Sequence, residues 1–319
     1  MAHEQGTVGE VTEGRIDENH VAVRSKAARL RDLFDRSELT EVVGVNDGLS
    51  SRLAEKHGFD ALWASGFAIS TAHGVPDASI LTMTEYLTAA NTVTSVTSLP
   101  VIADCDTGFG GLEIVTRMVR EYERAGIAAV CIEDKLFPKR NSFTNDNALL
   151  PAEEFSAKLR VAKQAQTDPD FMVIARIESL IAGLPLDDAL ERAECYQAAD
   201  ADAILIHSKS SSAEEVMAFA REWCGRDDAL PLIAVPTTYY SVTKQELEAE
   251  GFSMVIYANH AMRATWAAID RTFECIRADD CTAGIEEALT PVAEVLRFSG
   301  IDELRELSEP LGSYRPRAS

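Results

Sequence analysis

Short apolar runs and amphipathic stretches alternate eight times along this chain, and few folds accept that pattern. The apolar runs fall at 41–46, 61–66, 100–105, 128–133, 172–177, 203–207, 232–236 and 254–258. Between them, 49–57, 84–97, 112–125, 152–166, 187–199, 213–222 and 243–250 carry apolar residues at helical spacing. Runs that are apolar on both faces read as strands buried in a parallel sheet. Strand–helix repetition implies parallel strands joined by right-handed crossovers. Eight such units favour a closed (β/α)8 TIM-type barrel over an open sheet. A length of 319 residues suits one barrel of about 250 residues with additions at its ends. The spacing of Ala27, Leu30, Leu33 and Phe34 predicts a helix over 26–37 ahead of the first strand. Extra C-terminal helices are predicted at 261–278, 282–298 and 301–306, to cap the barrel or pack against another subunit. The expected organisation is a mobile, acidic leader over 1–25, a single barrel domain with its C-terminal helices over 26–306, and a tail over 307–319.

Composition narrows the setting. The N-terminus lacks the cationic start and apolar stretch of a secretory signal, and no run approaches the ~18 apolar residues that cross a bilayer. The six cysteines contain no C-x-x-C pair, and Cys105 and Cys131 fall in predicted strands, where a thiol acts as a small apolar filler. A reduced, cytoplasmic enzyme is the simplest expectation. The net charge of -22 argues against nucleic acid and anionic membrane surfaces as partners. It would also repel small anions, so any phosphate or carboxylate site must be made locally positive.

The polar residues that break the apolar runs lie at their carboxyl ends, where α/β enzymes place their chemistry. The densest group follows the fourth run: Glu133-Asp134-Lys135, then Lys139-Arg140-Asn141-Ser142. The third run ends Asp104-Cys105-Asp106-Thr107-Gly108. Positions i and i+2 of a strand share a face, so Asp104 and Asp106 project together, and two such carboxylates need a cation. Glu133 is a natural third member, and a sparse set of oxygen ligands favours Mg2+ over Ca2+. Taken alone, the two aspartates could instead cap a helix or form a turn. The second run ends Trp63-Ala64-Ser65-Gly66-Phe67, where Gly66 either turns the backbone to present N–H groups to a carboxylate or simply loosens a strand end. Asp77 follows a Gly-Val-Pro turn and could overhang the barrel mouth, though alone it reads as a turn residue. Arg176 ends the fifth run, where a cation is costly unless it meets an anion. His207 ends the sixth, a place where a histidine is as often structural as functional. Six polar ends on one predicted face, with Lys139, Arg176 and a metal supplying positive charge, point to a small, multiply anionic ligand.

These residues resemble the isocitrate lyase superfamily and, within it, the phosphoenolpyruvate mutase family. The signature E-D-K-x-x-x-x-x-N-S is matched in full by Glu133-Asp134-Lys135 and Asn141-Ser142. The resemblance runs from about residue 41 to 300 and includes W-x-S-G at 63–66, D-x-D-T-G at 104–108, Arg176 and I-H-S at 206–208. It implies a homotetramer, a dimer of dimers with a C-terminal helix exchanged between subunits. It implies Mg2+ held by Asp104, with Asp106 and Glu133 acting largely through waters. The backbone at Ser65, Gly66 and Phe67 would receive the substrate carboxylate beside Trp63, while Arg176 and His207 would hold phosphoryl and carbonyl oxygens. Lys139, Asn141 and Ser142 would ride on a loop over 136–144 that closes on the substrate, and Asp77 would stand near the migrating phosphoryl group. The implied reaction interconverts phosphoenolpyruvate and 3-phosphonopyruvate, the first step of phosphonate biosynthesis. Its equilibrium favours the oxygen ester, so a downstream phosphonopyruvate decarboxylase is the expected pathway partner.

Lyases of the superfamily carry a catalytic cysteine in a K-K-C-G-H loop. The corresponding loop here, Pro138 to Ser142, has none, which disfavours a C–C lyase. A phosphonopyruvate hydrolase shares the barrel, metal carboxylates and gate lysine but departs, in the resemblance, at the asparagine that Asn141 retains. A carboxyphosphoenolpyruvate mutase differs by one substrate carboxyl group and is not separated by these residues. A non-catalytic barrel would be favoured by loss of a metal carboxylate or the gate lysine, and neither is lost.

Overall fold

The computed structural model describes residues 24–308. The leader expected over 1–25 therefore lies outside the described residues except for its last two, and the 307–319 tail except for its first two. Eight parallel strands close into one barrel in sequence order: β1 Thr40–Val45, β2 Ala61–Ala64, β3 Val101–Asp104, β4 Ala129–Glu133, β5 Met172–Ile177, β6 Ala203–Ile206, β7 Leu232–Ala234 and β8 Met254–Tyr257. Closure is made by β1 on β8, with Val42 opposite Ile256. All eight expected strands are present, most of them shorter than the apolar runs. At the ends of β2, β6 and β7 the chain leaves the ladder before the polar residues begin.

Side chains divide by the two-residue period of the strands. Val42, Trp63, Ile102, Cys131, Ile174, Leu205 and Ile256 pack in one cluster inside the barrel. Their sequence neighbours, among them Val43, Leu62, Ala103, Val130, Val173, Ile204 and Val255, pack outward in a second cluster with the helices. The helix Leu112–Arg124 shows how that outer layer forms: Val115, Met118, Val119 and Tyr122 fall on one stripe and are all buried. The interior cluster also takes in Ala27, Leu30 and Phe34 of the first helix, Lys26–Asp35. Ser25 caps that helix through Oγ. Arg31 fixes it by donating to Phe171 O at 3.2 Å and to Asp202 Oδ1 at 2.9 Å, beside the starts of β5 and β6.

Two elements differ from the sequence expectation. The segment after β2 is a helix, Gly66–Ala72, rather than a loop, because Ser65 Oγ accepts from Ala68 N and starts it. The stretch 282–298 is not one helix: a 3-10 turn at Glu286–Ala288 is separated from the helix Val292–Phe298 by Pro291, which has no N–H to continue a hydrogen-bond ladder. The chain falls into two compact units, one ending at Ala258 and one beginning at Asn259. The first contains all eight strands. The second contains His260–Asp279, Val292–Phe298 and Ile301–Ser308, and no residue of the first two helices is buried.

Gly44 on β1 tests the tightness of the closure. A Cβ there would lie 1.9 Å from the carbonyl oxygen of Ala258, while one on Gly48 would meet only Val96 methyls at 3.6 Å or beyond. Gly44→Ala should lower stability by about 2 kcal/mol or more through overpacking, and Gly48→Ala should stay within about 0.5 kcal/mol. Denaturant midpoints measure both; equal midpoints would refute the close approach.

Candidate active site

The inward phase of four strands carries charge directly above the apolar interior. Ile102 is followed on the same face by Asp104, Cys131 by Glu133, Ile174 by Arg176 and Leu205 by His207. Glu133 and Arg176 are cross-strand partners. All four groups are largely withdrawn from water, and the segment between β4 and the helix Ala152–Ala165 brings Lys139, Asn141 and Ser142 onto them.

The acidic side is built around Asp104, Asp106 and Glu133. β3 ends at Asp104, so Asp106 lies beyond the strand in a left-handed conformation at φ 48°. Asp is among the few residues that accept this conformation. The carboxylates come together through the turn rather than by strand alternation: a Cβ on Gly66 would lie 3.0 Å from Asp104 Oδ2 and 3.3 Å from Asp106 Oδ1. The glycine at 66 is thus needed for room, inside a helix start. Its N–H donates to Asp104 Oδ2 at 3.2 Å, and Ser65 N–H donates to Val45 O at 3.0 Å. Phe67 is half-buried in the first turn of that helix, and Trp63 lies one layer lower in the barrel interior.

Burial raises the carboxyl groups of Asp104 and Asp106, the latter to about 7, with Lys139 opposing the effect. Neither oxygen of Glu133 receives a hydrogen bond, nor does Asp106 Oδ2, although Arg176 Nε lies 3.4 Å from Glu133 Oε2 and Lys135 Nζ 3.8 Å from Oε1. Buried carboxylate oxygens without hydrogen-bond donors match the donor set of a hard divalent cation that retains water ligands. Among the described residues no three such side chains enclose a metal by themselves.

Lys139 supplies a cation to this side. Its ammonium lies 2.6 Å from Asp106 Oδ1 and 2.9 Å from Asp77 Oδ1. Burial works against that charge, but Asp106, Glu133 and Asp77 outweigh it and hold the lysine well above its ordinary range. Asn141 Nδ2 donates to the other Asp77 oxygen at 2.7 Å. Asp77, from the loop after the helix Gly66–Ala72, is therefore gripped by two gate residues.

The basic side centres on a residue that sequence reasoning did not assign. Glu178 is fully buried. Its Oε1 accepts from Arg176 Nε at 2.5 Å and lies 2.7 Å from His207 Nδ1. Its Oε2 accepts from Ser142 Oγ at 2.8 Å and lies 2.8 Å from Lys135 Nζ. Burial alone would raise this carboxyl group; Arg176, His207 and Lys135 together hold it well below the usual carboxylate range. His207 is lowered as well, by burial first and then by Arg176, whose Nη2 is 2.8 Å from the same Nδ1. Glu178 repeats the i, i+2 relation to Arg176 that drew attention to Asp104 and Asp106, and that spacing was the signal available for it.

The gate has a rigid base. Leu136 N donates to Ala148 O, Leu150 N donates to Asp134 O, and Lys135 bridges Leu149 in antiparallel fashion. Asp134 is itself anchored by Tyr196 Oη at 2.7 Å and Arg192 Nη1 at 3.1 Å, and Arg192 also donates to Leu150 O at 2.9 Å. Of the residues expected in the site, Asp77, Asp104, Asp106, Glu133, Lys139, Asn141, Ser142, Arg176 and His207 form one connected cluster. Trp63, Ser65, Gly66 and Phe67 line its β2 side.

Known proteins share this fold. The family model for phosphoenolpyruvate phosphomutase matches residues 30–277. A phosphoenolpyruvate phosphomutase of Streptomyces hygroscopicus is 42% identical over 286 residues, covering 89% of this chain and 90% of that protein. The crystal structure of a phosphoenolpyruvate phosphomutase from Streptomyces platensis subsp. rosaceus superposes with a TM-score of 0.87 at 49% identity, covering 89% of this chain and 98% of the other. A phosphonopyruvate hydrolase in complex with oxalate and Mg++ gives a TM-score of 0.84 at 39% identity, again covering 89% and 98%. With more than three quarters of its length matched, the chain belongs to the phosphoenolpyruvate phosphomutase family.

Proposed function

We propose that this protein interconverts phosphoenolpyruvate and 3-phosphonopyruvate by intramolecular phosphoryl transfer. One observation carries the reading: a gate without cysteine lies over a buried cluster in which Lys139 and Asn141 grip Asp77, with Arg176 and His207 at the same strand ends. In the phosphonopyruvate direction, the P–C bond breaks with its electron pair remaining on the pyruvate enolate, and the PO3 unit rejoins at the enolate oxygen. A loose transition state of this kind asks the protein to position and stabilise charge rather than to supply covalent chemistry. Arg176, His207 and Asn141 suit the equatorial phosphoryl oxygens, and the Ser65–Phe67 segment suits the enolate carboxylate. Lys139 offsets charge where the surrounding protein is acidic. The closed gate keeps water from a group that it would otherwise hydrolyse. Asp77 faces the migrating group and steers it by charge or accepts it transiently.

Asp104, Asp106 and Glu133 would hold Mg2+, which when bound supplies Lewis-acid stabilisation to the enolate and phosphoryl oxygens. The orphaned oxygens of Glu133 and Asp106 support this assignment. Asn141 favours the mutase over phosphonopyruvate hydrolase in the family resemblance, and the missing gate cysteine disfavours a C–C lyase. The absence from the described residues of any helix long and apolar enough to cross a membrane is compatible with a cytoplasmic setting. A phosphonopyruvate decarboxylase remains the proposed pathway partner.

Assembly as a dimer of dimers with an exchanged C-terminal helix is part of the proposal. Its support is a stripe on His260–Asp279, where Trp266 is 67% exposed and Phe273 63%, with Ile269 between them. Sedimentation should give a tetramer, and Trp266→Glu with Phe273→Glu should dissociate it; a monomeric parent protein would overturn the assembly.

Two further outcomes are expected. Asp77→Ala and Asn141→Ala should each lower kcat by about 10²-fold or more while circular dichroism stays native. Phosphorus NMR of phosphonopyruvate turnover measures this, and parental rates from Asp77→Ala would remove that residue from the mechanism. Chelation with EDTA should silence the enzyme and added Mg2+ should restore it. Undiminished turnover in chelator would refute the metal assignment.

A further inference from the structure

Glu178 has its two carboxylate oxygens committed to different parts of the site. Oε1 serves Arg176 and His207, which stand on β5 and after β6; Oε2 serves Ser142 and Lys135, which stand on the gate and at its base. Lys135 uses its three protons on one side of this divide: Ser142 Oγ at 2.5 Å, Arg140 O at 3.2 Å and Glu178 Oε2. Ser142 Oγ donates to Glu178 and accepts from Lys135 and from Arg176 Nη2 at 3.1 Å. Lys135, Ser142 and Glu178 are each 5% exposed or less, so water cannot replace a missing partner cheaply. A side chain that bridges two groups in this way makes the placement of one depend on the placement of the other.

We infer that Glu178 and Lys135 are positioning residues that couple closure of the gate to the geometry of Arg176 and His207. The gate locks only when Ser142 and Arg140 O reach the Glu178–Lys135 pair, and the same carboxylate then holds the guanidinium and the imidazole in place. The inference rests on the phosphoryl-transfer reading for its activity consequences, but the coupling itself is a property of the fold. Loss of the gate side should let water compete: water attacks phosphorus, the P–C electron pair remains with the enolate, and the products are phosphate and, after protonation, pyruvate.

Glu178→Gln separates the two sides. An amide offers one acceptor and one donor group in place of two acceptors. Its carbonyl is best used on Arg176 Nε, which can only donate, leaving NH2 against Lys135 and Ser142. Lys135→Met removes the cation that ties Arg140 O, Ser142 and Glu178 Oε2 together, while leaving Oε1 with its partners. With Mg2+-loaded protein and phosphonopyruvate, both variants should raise the phosphate fraction of the products roughly tenfold, with KM moving less than about threefold. Trypsin should cut after Arg140, on the exposed face of the gate, roughly tenfold faster than in the parent when oxalate and Mg2+ are present. The double variant should show little beyond the larger single effect. Ser142→Ala carries the same test without stranding a buried charge, should either variant fail to fold. Unchanged product partition and unchanged cleavage in the folded variants, or effects that simply multiply, would overturn the coupling. Absence of phosphoenolpyruvate from the parent enzyme would instead strike the functional reading, and the cleavage comparison would still decide the coupling.

Discussion

A closed parallel ladder allows each strand residue only two directions, inward or outward, and this constraint organises the rest of the molecule. Apart from Thr40, whose hydroxyl donates to Leu33 O of the first helix, inward positions are apolar up to the layer of Ile102, Cys131, Ile174 and Leu205. The next inward step on each of those strands is Asp104, Glu133, Arg176 or His207. The barrel itself sets the height at which chemistry begins, and the first helix seals the opposite end. A one-residue slip of β4 against β5 would send Glu133 outward while Arg176 stayed inside, and would break their cross-strand pairing. The apolar interior therefore serves the charged layer by fixing its register.

The charged layer is held together by compensation. Burying an isolated ion costs several kcal/mol even after relaxation, and a chain carrying -22 net charge adds an unfavourable field for any anionic ligand. The cluster divides into an acidic side, where Lys139 meets Asp106 and Asp77, and a side where Arg176 and Lys135 meet Glu178. Each side brings its cation or anion partly from the gate. On the acidic side, Glu133 and Asp106 Oδ2 have no hydrogen-bond donor, and their nearest compensation is the neighbouring cations Arg176 and Lys139.

Much of this was legible in the sequence because strands and charged ends obey local rules. The eight apolar runs located the eight strands, and the polar residues at their ends are the ones the fold brings together in the candidate site. Three features were not legible. Asp106 reaches the site through a left-handed turn, and backbone conformation at a single residue leaves little trace in composition. Gly66–Ala72 is a helix too short for periodicity to reveal, begun by one Ser65 hydrogen bond. Glu178 lies one residue past β5, and its importance comes from four partners on separate segments, which only tertiary structure assembles. The signature spacing over 133–142 picked out this loop as a candidate, but it could not show that Lys135 faces inward while the adjacent Leu136 and Phe137 face solvent.

The clasp at the foot of the gate has an evolutionary consequence. Because Leu136 is joined to Ala148 and Leu150 to Asp134, with Arg192 tying that foot to the neighbouring helix, the intervening residues form a cassette anchored at its two ends. Changes of length or chemistry inside the cassette leave the barrel's own hydrogen bonding untouched. A scaffold arranged in this way can change the chemistry over its site by rewriting about a dozen residues, a loop length within the ordinary range for functional lids, while the strand-end charges of Asp104, Glu133, Arg176 and His207 stay fixed.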